Sequence, residues 1–140
     1  MFKNFFKKKE KNVNNNNILI AALLVHAAKI DNNYTEDEKK IIKRTLINLN
    51  KISLHESEKV LKLAEQKEEK SNQIVEFTKE IKKYPMEFRI KIIEIIWEIV
   101  YSDGTNDSYE SNLIRRVCGL LYISDKDSGI IKKKFKDSNK

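Results

Sequence analysis

Apolar and polar positions along this chain recur with helical periods, in segments separated by short polar breaks. Residues 18–28 (ILIAALLVHAA) are almost continuously apolar, which suits a helix buried on nearly every side. Asp31-Asn32-Asn33 interrupts that run. Thr35-x-x-Glu38 then has the spacing of a capping box, in which two side chains satisfy orphan amides at a helix start. Ile41, Ile42, Leu46 and Leu49 follow at helical spacing. Ser53-x-x-Glu56 repeats the capping logic and opens a third helix with Val60, Leu61 and Ala64. A fourth carries Ile74, Phe77, Thr78 and Ile81 and stops at Tyr84-Pro85, because a residue before proline avoids the helical region.

The strongest pattern lies between Glu87 and Val100. Glu87, Lys91, Glu94 and Glu98 form a narrow polar stripe, and Phe88, five isoleucines from Ile90 to Ile96, Trp97, Ile99 and Val100 fill the remainder. Such a helix runs through the middle of a bundle with one edge wet. Asp103-Gly104 ends it, and Asp107-x-x-Glu110 starts another with Leu113, Ile114, Val117, Cys118 and Leu121. Ser124-x-x-Asp127 leads a last helix with Ile130, Ile131 and Phe135. With only 3 Gly and 1 Pro in 140 residues, the chain lacks the turn chemistry of an all-β fold. The expectation is a single-domain, all-α bundle of about seven helices.

The pattern also repeats. A shift of 72 residues sets Asp31 on Asp103, Asn32 on Gly104, Thr35 on Asp107 and Glu38 on Glu110. The same shift sets Ile20, Leu23, Leu24, Ala27 and Ala28 on Ile92, Ile95, Ile96, Ile99 and Val100, and Ile41, Ile42 and Arg44 on Leu113, Ile114 and Arg116. Asn32 and Gly104 are residue types that tolerate the left-handed backbone a helix ending needs, and Thr35 and Asp107 are both good N-caps. Two halves, each an apolar helix, a tight loop and an amphipathic helix, imply a core with an internal pseudo-two-fold duplication.

The net charge of +7 suggests nucleic acid until it is located. Residues 1–12 carry +4 and residues 132–140 another +4, which leaves −1 for everything between. The body is nearly neutral, so a shaped groove for phosphates, and with it specific nucleic-acid binding, is not expected. The sequence divides into a basic N-terminal arm over 1–17, a helical domain over 18–135 and a basic tail over 136–140. Phe2, Phe5 and Phe6 among the lysines of the arm suit contact with an anionic membrane surface or a disordered arm. No apolar run reaches the ~20 residues of a spanning helix. Lysines 7–9 before the apolar run imitate a secretory signal, but four intervening asparagines and the partner of that run in the second half argue for a structural helix and a cytoplasmic protein, at most peripheral to the inner membrane. The single Cys118 cannot form an internal disulfide and reads as a core thiol. His26 and His55 stand apart in the chain with no evident partner, and no zinc-ligand cluster exists.

The stretch Arg89-x7-Trp97-x2-Val100-Tyr101-x-Asp103-Gly104-x5-Glu110-x2-Leu113-Ile114-Arg115-Arg116-Val117-x2-Leu120-Leu121-x-Ile123-Ser124-Asp125 resembles the signature of bacterial proteins related to tellurite-resistance protein TerB. Ala22-Leu23-Leu24-Val25, Asp31, Glu38 and Phe77-Thr78 agree in the first half, so the resemblance covers about Ile18 to Phe135. The helical N-terminal part of the DnaJ-like co-chaperone DjlA is similar, but the His-Pro-Asp triplet of a J-domain is missing and that activity does not transfer. The resemblance implies an all-helical bacterial domain whose paired acidic residues bind a metal ion. Asn32 departs from the glycine the pattern prefers.

Asp31, Glu38, Asp103 and Glu110 are therefore the candidate metal ligands. Four carboxylates with Asn33, Thr35, Thr105 and Asp107 nearby offer oxygens for a hard cation, Ca²⁺ or Mg²⁺. The spacing Asp-x-Asn-x-Thr imitates the opening of an EF-hand, but Ile42 stands where its bidentate glutamate belongs. Capping boxes already account for Glu38 and Glu110. Asp31 and Asp103 sit near the C-terminal ends of apolar helices, where the dipole disfavours negative charge by about 0.3–1 kcal/mol. Loop amides, the next helix's N-terminus or a cation would each compensate. No nucleophile elbow, phosphate-binding glycine loop or metal-ligand histidine pair is present, so no catalytic residues are assigned and a binding module is expected. That module takes a divalent cation and a protein partner in stress or envelope physiology; the alternative is an interaction domain without metal, docked on a membrane through its arm.

Overall fold

The computed structural model describes residues 15–30, 34–71, 73–101 and 108–138, with the side chains of 108–111 and 138 outside that description. Within those residues there are seven helices and no strand: α1 Asn15–Ala28, α2 Glu36–Asn50, α3 Leu54–Lys70, α4 Val75–Ile81, α5 Met86–Val100, α6 Ser108–Leu120 and α7 Asp125–Ser138. The all-α bundle is as expected. Two details differ from the sequence reading. α1 starts within the asparagine run, at Asn15, and α7 continues to Ser138, so Lys136 is helical.

The two apolar helices lie at the centre. α1 packs against α2, α3, α4 and α5, and α5 packs against α1, α2, α6 and α7. Ile20, Leu23 and Leu24 of α1 and Ile92, Ile93 and Ile96 of α5 are fully buried. Burial of each such side chain is worth about 1.5–3 kcal/mol, which outweighs any helix propensity and explains why the isoleucine-rich α5 is helical despite its β-branched residues. Glu87 and Lys91 are exposed and Glu94 and Glu98 half-buried, which is the wet edge of that helix. Glu98 is ion-paired with Arg44 of α2.

The duplication is visible in the helix boundaries. The 72-residue shift carries the end of α1 onto the end of α5, and the start of α2 onto the start of α6. The five pairs from Ile20/Ile92 to Ala28/Val100 are buried in both halves, as is Ile42 with Ile114. After α6 the register slips by one. Ser53 accepts from the Glu56 amide at the start of α3, and Ser124, 71 residues on, accepts from the Asp127 amide at 3.1 Å. The residues that turn the chain here are Lys51 (φ 50°) and Tyr122 (φ 57°), also 71 apart and both in the left-handed region without being glycine. At Tyr122 the motif is a Schellman ending, with the Ile123 amide on the Cys118 carbonyl at 2.8 Å and the Tyr122 amide on that of Gly119 at 3.2 Å.

Short α4 joins the halves. The Ser71 hydroxyl donates to Glu76 at 2.8 Å, and this contact first, with Lys67 second, holds the Glu76 carboxyl below its usual range. At the other end Arg89 donates from Nε to the Tyr84 carbonyl (2.9 Å) and from Nη1 to the Leu121 carbonyl (2.7 Å), tying the α4–α5 turn to the end of α6. No described helix is long and apolar enough to cross a membrane.

Candidate cation site

The first acidic loop is bounded by the end of α1 and the start of α2. α1 closes with the Lys29 amide on the Val25 carbonyl (3.0 Å) and the Ile30 amide on the Ala27 carbonyl (3.4 Å). On the far side Thr35 takes an extended conformation and forms the full capping box: its hydroxyl accepts from the Glu38 amide at 3.1 Å, and Glu38 Oε1 accepts from the Thr35 amide at 2.7 Å. Glu38 is only 6% exposed, so the amide it caps is also what compensates for burying this carboxylate. Of the four sequence-assigned ligands Glu38 alone is placed. Asp31, Asp103 and the Glu110 side chain lie outside the described residues, as do Asn32, Asn33, Gly104, Thr105 and Asp107.

Carboxylates gather around Tyr34, the first described residue after that loop. Tyr34 is half-buried with Lys39 Nζ 5.0 Å from its ring centre. Burial first, then Glu65 of α3 beside the hydroxyl, then Glu38 and Glu36, push the Tyr34 pKa far above that of a free tyrosine. Three carboxylates from two helices thus act on one phenol next to the loop that contains Asp31.

One turn further along α3, Glu68 is held between Lys29 and His26 at the end of α1. Its Oε2 accepts from Lys29 Nζ at 2.8 Å, and its Oε1 lies 3.2 Å from His26 Nδ1. His26 therefore has a partner, contrary to the sequence expectation. α1 and α3 lie side by side with their C-terminal ends together, which places residues 42 apart in contact. No signal in the sequence marks that contact, because it depends on helix orientation and not on spacing.

The end of α5 has a different setting. Trp97 of α5, Tyr101 just beyond its end and Phe135 of α7 pack together, with ring centres 5.3 Å (Trp97–Tyr101), 6.3 Å (Trp97–Phe135) and 5.2 Å (Tyr101–Phe135) apart, and Lys132 Nζ stands 5.9 Å from the centre of the Trp97 ring system. Trp97 is 3% exposed and belongs to the core, as expected. Arg115 and Arg116 are exposed. Cys118 is buried, its thiol donates to Ser128 Oγ at 3.4 Å, and burial pushes its pKa up, so it is a poor nucleophile. Among the described residues no group of three or more His, Cys, Asp or Glu side chains is placed to hold a metal ion.

Arg89, which opens the quoted signature, has a role the sequence reading left unassigned. It fastens two backbone carbonyls from separate elements, so it is a clamp on the fold.

The family model of tellurite resistance protein TerB matches residues 17–133, which takes in most of α1 and of α7 and every described helix between them. No curated protein matches the chain, and no solved structure does. With more than four-fifths of its length inside that match and an all-helical bundle beneath it, the chain belongs to the TerB family.

Proposed function

We propose that this TerB-family chain is a non-enzymatic binding module that takes up a divalent cation, Ca²⁺ or Mg²⁺, at its acidic loops and presents the loaded surface to a protein partner in stress or envelope physiology. The observation that supports this reading is the field around Tyr34: Glu65, Glu38 and Glu36 act together on a hydroxyl immediately beyond the Asp31 loop. A hard cation between Asp31 and that wall would relieve like-charge repulsion and use oxygens of the kind it prefers. Glu38 contributes to the site's charge, while its Oε1 serves the helix cap. In the second loop the proposed ligands are Asp103 and Glu110.

Thermal melting of the full chain in Ca²⁺, in Mg²⁺ and in chelator tests the reading. Ligand that binds only the folded state stabilises it by mass action, so the midpoint rises with ion concentration and falls back with chelator. Asp103→Ala is expected to shrink the rise. If neither ion moves the midpoint, and Asp103→Ala melts alike with and without chelator, there is no cation site.

A second reading, peripheral docking on an anionic membrane without metal, is supported by α7, whose Lys132, Lys133, Lys134 and Lys136 are exposed with Ile130 57% exposed among them. Sedimentation with anionic liposomes, comparing the full chain with one lacking residues 1–17, tests it; absence of pelleting for both dismisses it.

A further inference from the structure

The two acidic loops are approached by different residues. Lys29 stands two positions before Asp31, whereas Tyr101 holds that place before Asp103, and residues 99–102 carry no charge. Consecutive Cα atoms are about 3.8 Å apart, so those of residues 29 and 31 lie within about 7.6 Å whatever the conformation between them. A lysine side chain spans most of that distance. An unheld ammonium at position 29 therefore reaches the Asp31 carboxylate, pairs with it and repels a cation brought there.

The ammonium is held elsewhere. Lys29 Nζ donates to Glu68 Oε2 at 2.8 Å, a charge-assisted bond from the end of α1 to α3. The other oxygen of Glu68 lies 3.2 Å from His26 Nδ1, so both carboxylate oxygens are engaged and the group is fixed in orientation. The Glu68 side chain is 10% exposed against 40% for Lys29, which makes the carboxylate the fixed member and the lysine the one drawn to it. Lys39, on the far side of the loop, is also occupied, with Glu36 3.4 Å from its Nζ and the Tyr34 ring beneath it. The clasp is not part of the repeat. His26 corresponds to Glu98, and Glu68, allowing for the one-residue slip after α6, corresponds to Asn139.

We propose that Glu68 sequesters Lys29, keeping this built-in ammonium off Asp31 so that the first loop stays open to a divalent cation, while His26 fixes Glu68 for that task. Glu68 is a positioning residue: it acts through Lys29 and touches no bound ion. This role rests on the cation reading above and adds the element that regulates it. Whatever parts Lys29 from Glu68 closes the first loop to the ion with an ammonium from the same chain.

Calorimetric titration of Ca²⁺ into the full chain, Glu68→Gln, Lys29→Met and the double variant tests it. Glu68→Gln is expected to weaken binding about fivefold in the parent background and less than about twofold in Lys29→Met, because without the lysine there is nothing to sequester. Lys29→Met alone is expected to stay within about twofold of the parent chain. Glu68→Ala, which retains no acceptor for the lysine, should show the same dependence on Lys29, and thermal melting in chelator checks that each variant is folded. A Glu68 that bound the ion itself, or acted only through its field, would weaken binding equally in both backgrounds. That result, no loss in Glu68→Gln and Glu68→Ala, or a several-fold loss in Lys29→Met overturns the proposal and leaves the cation site standing. Absence of binding heat in the parent chain overturns the cation reading and this role together.

Discussion

The first half, α1 to α3, and the second, α5 to α7, have one frame and two different fillings. Both keep the buried ladder from Ile20/Ile92 to Ala28/Val100, a serine cap on the third helix, and a left-handed residue before it. At the positions between, Leu46 and Leu61 face Cys118 and Lys132, and Glu65 on α3 faces Lys136 on α7. Among the described residues, the first half gathers carboxylates around Tyr34, and the second packs Trp97, Tyr101 and Phe135 together beside a lysine-rich α7. Frame positions answer to the core, which punishes change, whereas the third helix's outer turns answer mainly to solvent and are free to specialise.

The largest expected effect sets the two cores against each other. Leu46→Ala deletes most of a fully buried side chain and should cost about 2–5 kcal/mol in chemical denaturation. Cys118→Ala removes one sulfur beside a cleft of about 420 Å³ between α5, α6 and α7 and should cost about 1 kcal/mol. Equal losses would mean that the second half is packed as tightly as the first.

Arg89→Ala comes next, at about 2 kcal/mol, because it leaves two carbonyls without a charged donor. Its first-half counterpart Asn17 is buried and not a clamp of this kind, so the loss should appear as early exchange of amides at the α4–α5 turn and the end of α6. Uniform exchange across both halves would argue against a local clamp.

A smaller effect separates the electrostatics. The Tyr34 proton is held more tightly in the folded chain than at the ordinary value of 10.0. The stability this represents is therefore fully present below about pH 10 and is lost as the pH rises beyond it, when the unfolded chain gains by ionising. Tyr34→Phe should flatten that alkaline decline relative to the parent chain. Parallel declines would remove the acidic wall from the account.

Much of this was readable from the sequence. Capping boxes are local, so Thr35 and Glu38 could be placed from spacing alone, and a helix with a four-residue polar stripe can only be central. The duplication showed because core positions repeat at 72. The contacts that decide the chemistry were not readable. Glu68 meets His26 through helix orientation, Glu65 reaches Tyr34 across two elements, and the one-residue register slip hides the correspondence of Leu61 with Lys132. The sequence-assigned ligands themselves fared unevenly: Glu38 is seen as a cap, while Asp31, Asp103 and the Glu110 side chain lie outside the described residues.

Calorimetric titration of Ca²⁺ into the full chain, into Asp31→Asn and into Asp103→Asn addresses the cation site without relying on stability. The account predicts saturable binding heat for the parent chain and affinity at least about tenfold weaker when either aspartate is neutralised, a loss of about 1.4 kcal/mol. Absence of binding heat in the parent chain, or heat untouched by both substitutions, would contradict it.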